Sequence, residues 1–241
     1  MLEEFIQRHD IDIALLQEVT EEEKLRCRGY QLTANVGTTG RSTAILHKLN
    51  IQFQRIERIP SWRGIAAYLD DICIINIYAP SGTAKRAERE EFFNTDITGL
   101  LTLSPVKLVI AGDFNCVLNN DCTVQRTCSQ ALQILINGLK LKDAWDTNIT
   151  PHGYTHYTVT DASRIDRRYL SKELVRNKQV AETLIAAFSD HLAVLIRILP
   201  ATPRTLRGKG RWIMNTTLLE DATFRRKLRE GWKEWTQTIK R

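Results

Sequence analysis

"KLVIAGDFNCVLN", Lys107–Asn119, drives four apolar residues, Leu108 to Ala111, into a glycine, an acid, a phenylalanine and an asparagine. An apolar run this short, bounded by turn residues, has the signature of a buried strand. Ending it on Asp113 and Asn115 places two polar groups at the rim of a core. Taken alone the pair also fits an Asx turn that closes the strand. Its meaning depends on what the other strands of the chain end on.

Upstream, Leu2, Phe5 and Ile6 recur at helical spacing, and "HDIDIALLQE" then switches to an apolar strand that ends on Gln17 and Glu18. From Tyr30 to Tyr78 the runs "STAILHK", "IQFQRI", "GIAAYL" and "ICIINIYAP" are spaced by Gly, Asp and Asn, which predicts an antiparallel meander. "TAKRAEREEFFNTDITGLL" changes to a helix whose apolar face is Phe92, Phe93, Ile97, Leu100 and Leu101. The opening strand follows it. Ser129 precedes a second helix in "QALQILINGLKLKDAW" that stops near Gly138. "GYTHYTV", "SRIDRRYL" and "SDHLAVLIRIL" read as three further strands. Mixed strands and helices within 200 residues predict an α/β or α+β domain with a two-sheet core.

The chain has 241 residues and 43% hydrophobic content, enough to fill a sizeable core. Its net charge of +6 is unevenly spread: residues 1–200 carry 23 Lys and Arg against 24 Asp and Glu, residues 201–241 carry 11 against 4. The basicity lives in the tail. "PATPRTLRGKGR", with its Pro and Gly, predicts a linker over 200–215, and Thr217 with Glu220 fits a capping box opening a basic amphipathic helix over 216–241. Five cysteines, at 27, 73, 116, 122 and 128, contain no CxxC pair, which favours free thiols in a reducing compartment over a disulfide frame or a zinc site. The start is acidic and amphipathic rather than a signal peptide, and no apolar run reaches the ~18 residues of a membrane span. A soluble intracellular chain with no membrane partner is expected.

Several strand ends carry polar groups: Glu18, Tyr78, Asp113 with Asn115, Asp166, and Ser189–Asp190–His191. Singly, each also fits a turn cap or an edge residue. Together they are carboxylates, an amide, a histidine and a phenol brought by separate strands. Converging carboxylates repel unless a cation lies between them, and oxygen donors suit Mg²⁺, or Mn²⁺ in its place, better than zinc. Such a site favours phosphoryl transfer to water.

"LLQE" at 15–18, "NIYAPSG" at 76–82, "AGDFN" at 111–115, "SRID" at 163–166 and "SDH" at 189–191 resemble, in this order, the endonuclease/exonuclease/phosphatase superfamily, which includes DNase I, exonuclease III and the apurinic/apyrimidinic endonucleases. The resemblance covers nearly all of residues 1–200. Within it "HDIDIALLQEV", "LKDAWDT", "YTHYT" and the tail "GKGRWIMNTTLLED…FRRKLREGWKEW" are similar to the endonuclease of LINE-type retrotransposon polyproteins and the segment leading to a reverse transcriptase.

The resemblance implies a DNase I-like fold over residues 1–199: a four-layered α/β sandwich of two mixed sheets flanked by helices. It also implies Mg²⁺-dependent nicking of DNA, in the nucleus, leaving a 3′-hydroxyl. By position, Glu18 and Asp190 resemble metal ligands, Asp113 the group that activates water, and Asn115 the holder of a phosphate oxygen. His191 held by Asp166 would stabilise the transition state, and Tyr78 would donate to the scissile phosphate. Thr155 and Ser189 would contact DNA, although Thr is also an ordinary strand residue. Two departures stand out. Family members begin with a strand carrying an Asn near the metal, whereas Met1 here falls inside the helix that follows it, so a neighbouring strand should lack a partner. Arg168 stands where the family pattern places an apolar residue. An inert nucleic-acid-binding fragment and, within the fold, an inositol or lipid phosphatase are the alternatives.

Overall fold

A computed structural model describes residues 1–20, 26–37, 42–101, 107–118, 128–145, 153–199 and 221–239. The chain divides into two units, Met1–Pro200 and Ala201–Arg241. The first is a four-layered α/β sandwich of the DNase I type.

Its central layer is a six-stranded sheet in the order β4 (Arg55–Arg58), β5 (Gly64–Leu69), β6 (Ile72–Tyr78), β7 (Lys107–Asp113), β11 (Asp166–Leu170), β8 (Lys142–Asp143). β6 and β7 run parallel because the connection between them is helical; the other pairs are antiparallel. β7 is buried on both faces, which is why its sequence is a continuous apolar run rather than an alternation. Cys73, Ile75, Ile77, Leu108 and Ile110 face outward against helices α2 (Arg86–Glu91), α3 (Ile97–Leu100) and α4 (Gln130–Gly138), through Phe92, Phe93, Ile97, Leu132 and Ile136. A π-helical turn, Phe92–Asp96, joins α2 to α3. Ser129 Oγ accepts from the Leu132 N–H and Glu90 from the Ala131 N–H, which together cap α4.

The second sheet layer lies on the opposite face. β1 (Ile13–Gln17), β3 (Thr43–Lys48) and β2 (Tyr30–Asn35) pair in that order, and β12 (Lys178–Leu184) pairs with β13 (Ala193–Ile198). Leu15, Ile72, Ile74, Ile196 and Ile198 pack on Val109, Ala111, Leu170 and Leu174 between the layers. Helix α1 (Leu2–Arg8) covers the outer face through Ile6, Leu46 and Leu16. Among the described residues β1 is laddered only to β3 and β13 only to β12, so one edge of each is unpaired.

Three sequence expectations change. The meander of residues 30–78 is split between the layers, β2 and β3 in one and β4 to β6 in the other, a choice that hairpin periodicity cannot make because each strand alternates in the same way. "GYTHYTV" holds only a two-residue strand, β9 (His156–Tyr157), paired with β10 (Ala162–Ser163), because Thr158 and Asp161 close a turn directly after it. β12 and the short helix α5 (Lys172–Val175) have no counterpart in the sequence reading.

Arg168 does enter the core, 3% exposed. Its Nη1 donates to the Glu182 carbonyl at 3.3 Å and its guanidinium lies 5.6 Å over the Trp145 ring; burial pushes its pKa down to about 10. In the second unit, α6 (Ala222–Ile239) starts with the Asp221 carboxylate accepting from the Phe224 N–H at 2.8 Å. The linker and the Thr217–Glu220 capping box lie outside the described residues, as does Cys122. Cys27, Cys73 and Cys116 are free thiols.

Candidate active site

Register brings the strand ends together. Tyr78 on β6 pairs with Asp113 on β7, and Asp113 pairs with Asp166 on β11, so the three side chains form one row across adjacent strands at one end of the central sheet. Gly112, one residue before the acid, has φ +134, and a Cβ there would stand 2.1 Å from the Ile77 carbonyl oxygen. Only glycine lets β7 approach β6 this closely where the row is set.

Asp113 is buried, and the Asn115 backbone N–H donates to its Oδ1 at 2.8 Å. The Asn115 side-chain amide donates to Asp113 Oδ2 and to the Ala79 carbonyl, both at 2.9 Å. Both amide N–H groups are thereby committed to positioning, and the atom Asn115 offers outward is its acceptor oxygen. Asn115 adopts φ +47 and Glu18 φ +55, left-handed conformations uncommon for residues with a side chain, at the ends of the strands that carry them. Desolvation, and next the facing Asp166 carboxylate, push the Asp113 pKa up to about 7.

Asp166 Oδ2 accepts from His191 Nδ1 at 2.8 Å. That bond raises His191 to about 9, so its imidazole is a cation at neutral pH. Ser189 Oγ accepts from the His191 N–H at 3.0 Å and fixes the turn that delivers it. Tyr78 donates to Glu18, and burial pushes its phenol up to about 12. Asp113, Asp166 and His191 present ligand atoms within 4.8 Å of one another, and so do His156, Asp190 and His191; Glu18 falls in neither group but lies close enough to act on the charge of Asp113.

Thr155 departs from its expected place on a DNA-contacting surface. It is 1% exposed, and its hydroxyl accepts from the backbone N–H groups of Ile165 and Asp166 at 3.3 and 3.1 Å, while its carbonyl accepts from Leu192 at 2.7 Å. It ties the strand bearing Asp166 to the segment bearing His191, so its role is positional.

Sequence reasoning passed over four residues. Asn76, fully buried, donates to the Leu16 and Ala44 carbonyls at 2.9 and 2.8 Å and accepts from Gln17 at 2.6 Å, stapling the two sheet layers behind Glu18. Arg63 donates to the Tyr78 carbonyl at 3.2 Å and lies 5.2 Å over its ring. Asp143 pairs with Arg164 at 2.5 Å and Arg167 at 3.5 Å. His156 stands 4.8 Å, ring to ring, from His191. Asn76, Asp143 and His156 lay inside motifs already singled out; Arg63 carried no local signal.

The chain is 33% identical over 174 residues to the Transposon TX1 uncharacterized 149 kDa protein of Xenopus laevis, a match covering 67% of this chain and 13% of that protein's length. In fold it is similar to an AP endonuclease from Archaeoglobus fulgidus (TM-score 0.66, 17% identity, 82% of this chain and 93% of the other). It is also similar to the 3′ phosphatase NExo (D146N) from Neisseria bound to a product DNA hairpin (TM-score 0.63, 20% identity, 82% and 92%). The model of the Endonuclease/Exonuclease/phosphatase family matches residues 1–191, four-fifths of the chain and every strand end that builds the row, and this protein is therefore a member of that family.

Proposed function

We propose that the chain hydrolyses phosphodiester bonds in duplex DNA, with Mg²⁺ or Mn²⁺ as cofactor, leaving a nick with a 3′-hydroxyl. The observation that carries this reading is the buried Asp113–Asp166 pair: desolvation, and next the repulsion from Asp166, lift Asp113 to about 7, while His191 is bonded to Asp166. Such a pair fits a hard divalent cation: the donors are oxygens, and a second positive charge would relieve the repulsion. Glu18 and Asp190 would hold the cation. When bound, it supplies charge against that developing on the phosphate.

The chain's own residues do the rest. Asp113, poised near neutrality and held by two hydrogen bonds from Asn115, accepts the proton of the attacking water. The water oxygen bonds to phosphorus, the bond to the 3′ oxygen breaks, and the departing oxygen is protonated. His191, kept cationic and in one orientation by Asp166, faces the phosphate with a donor on its second nitrogen. Tyr78 keeps its proton at neutral pH and donates it in a hydrogen bond to Glu18; once Glu18 turns toward a cation, that proton is available to the phosphate beside His191.

DNA as substrate is supported by the DNA-bound structural neighbour and by the transposon relative. Since the chain spans 13% of that relative, we read it as the nuclease segment of a transposon polyprotein acting in the nucleus, with a reverse transcriptase as its neighbouring domain. The test is conversion of supercoiled plasmid to the nicked circle with Mg²⁺. Parent protein nicks; Asp113→Ala lowers the rate roughly a hundredfold or more. Equal nicking by both proteins would overturn the site, and hydrolysis of an inositol phosphate with plasmid left intact would overturn the substrate.

A further inference from the structure

His156, Asp190 and His191 place one ligand atom each within 4.8 Å of the other two. The two histidines are held by backbone: His156 and His191 form an antiparallel β-bridge, and the Thr155 carbonyl accepts from the Leu192 N–H at 2.7 Å one residue along on each side. Their rings stand 4.8 Å apart, tilted by 54°. The third ligand, Asp190, is exposed. Ligands of a tetrahedral ion bound at about 2.0–2.1 Å lie roughly 3.4 Å from one another, a contraction that rotation of the Asp190 side chain and small ring movements supply.

Two imidazoles and a carboxylate form a borderline donor set, suited to Zn²⁺, Ni²⁺ or Cu²⁺ and poor for Mg²⁺. Asp166 completes it from outside. By accepting from Nδ1 of His191 at 2.8 Å it fixes the ring and leaves Nε2 as the nitrogen available to an ion, the carboxylate–histidine–metal arrangement of protein zinc sites. The ion takes the place of the proton on Nε2, and that proton goes to solvent.

We propose that His156, Asp190 and His191 form a second metal site, selective for Zn²⁺ and its late transition-metal neighbours, whose occupation withdraws His191 and Asp190 from hydrolysis and so inhibits the enzyme. The inhibition half rests on the nuclease reading above; the binding half does not. His156 is outside the proposed catalytic row, so its removal separates the two.

The test is calorimetric titration of the chelator-treated full chain with Zn²⁺ in excess Mg²⁺, with Co²⁺ absorption reporting the coordination. The parent binds one Zn²⁺ and gives the visible bands of Co²⁺ held by nitrogen. His156→Gln, at a partly exposed position, loses affinity at least about tenfold and keeps its Mg²⁺-supported nicking, now insensitive to Zn²⁺ concentrations that stop the parent. Asp190→Asn, at an exposed position, likewise weakens Zn²⁺ binding. Unchanged Zn²⁺ affinity in both variants overturns the site. Zn²⁺ bound through His156 in a chain that never nicks plasmid sustains the metal site and overturns only the nuclease reading; His156-dependent binding with nicking unaffected by Zn²⁺ overturns the inhibition.

Discussion

At the scale of single residues, Asp113 shows how a site sets chemistry against stability. Its folded pKa, about 7, lies above the unfolded carboxylate value of 3.8. Between those values the native protein holds a proton that the unfolded chain has released, so stability falls as pH rises through this window and stays lowered above it. Asp113→Asn removes the loss. The variant is expected to match the parent in urea denaturation below pH 4 and to exceed it at pH 8 by on the order of 1 kcal/mol, while its nicking is abolished. Mg²⁺ is expected to raise the melting temperature of the parent at pH 8 by more than that of Asp113→Asn, which keeps Glu18 and Asp190 but not the repulsion the cation relieves. Asp113 and Asn115 were legible in "AGDFN" because acids ending an apolar run stand out. Their division of labour was not: that the Asn115 side-chain amide is shared between Asp113 and the Ala79 carbonyl depends on where Ala79 lies, 36 residues earlier.

Among elements, β11 carries the boldest choice in the chain, three consecutive interior positions, Arg167, Arg168 and Tyr169, beside Arg164. Asp143 on the neighbouring strand β8 answers two of these charges, at 2.5 and 3.5 Å. Removing one partner of a buried ion pair strands the other, so Asp143→Ala is expected to cost about 3 kcal/mol, measured by chemical denaturation. Arg168 differs, since it meets a carbonyl and an indole ring in place of a carboxylate and its Nε is left without a hydrogen bond. Replacing a buried cation with an apolar side chain of similar volume removes its desolvation cost, and Arg168→Met is expected to raise stability by about 1 kcal/mol. The sequence marked Arg168 as out of place but could not name its neighbours, because Trp145 reaches it through the pairing of β8 with β11 and Glu182 from a strand of another sheet. The strand β12, which shares its sheet with β13, gave too weak an alternation to be read.

For the whole molecule, charge and architecture divide the work. Residues 1–200 are near neutral, with acids gathered at the sheet end, while residues 201–241 carry 11 basic against 4 acidic residues. Binding to DNA through a basic segment releases counterions, so deleting residues 201–241 is expected to flatten the dependence of log K on log salt by roughly 3 or more units, read by fluorescence anisotropy across a salt series. Nicking at low salt should persist in the deletion if the body alone holds the site. What the sequence by itself determined is the set of strands that end in chemistry and their order, since five short motifs spell out local geometry: apolar runs, turns and the residues that close them. What only the tertiary structure decided is which of those ends share a row, which hydroxyl is buried, as for Thr155, and which unclaimed histidine stands beside His191. The physical reason is that strand periodicity repeats every two residues and is indifferent to partners. Register and layer are chosen by contacts between residues tens of positions apart, and those contacts exist only once the chain has closed on itself.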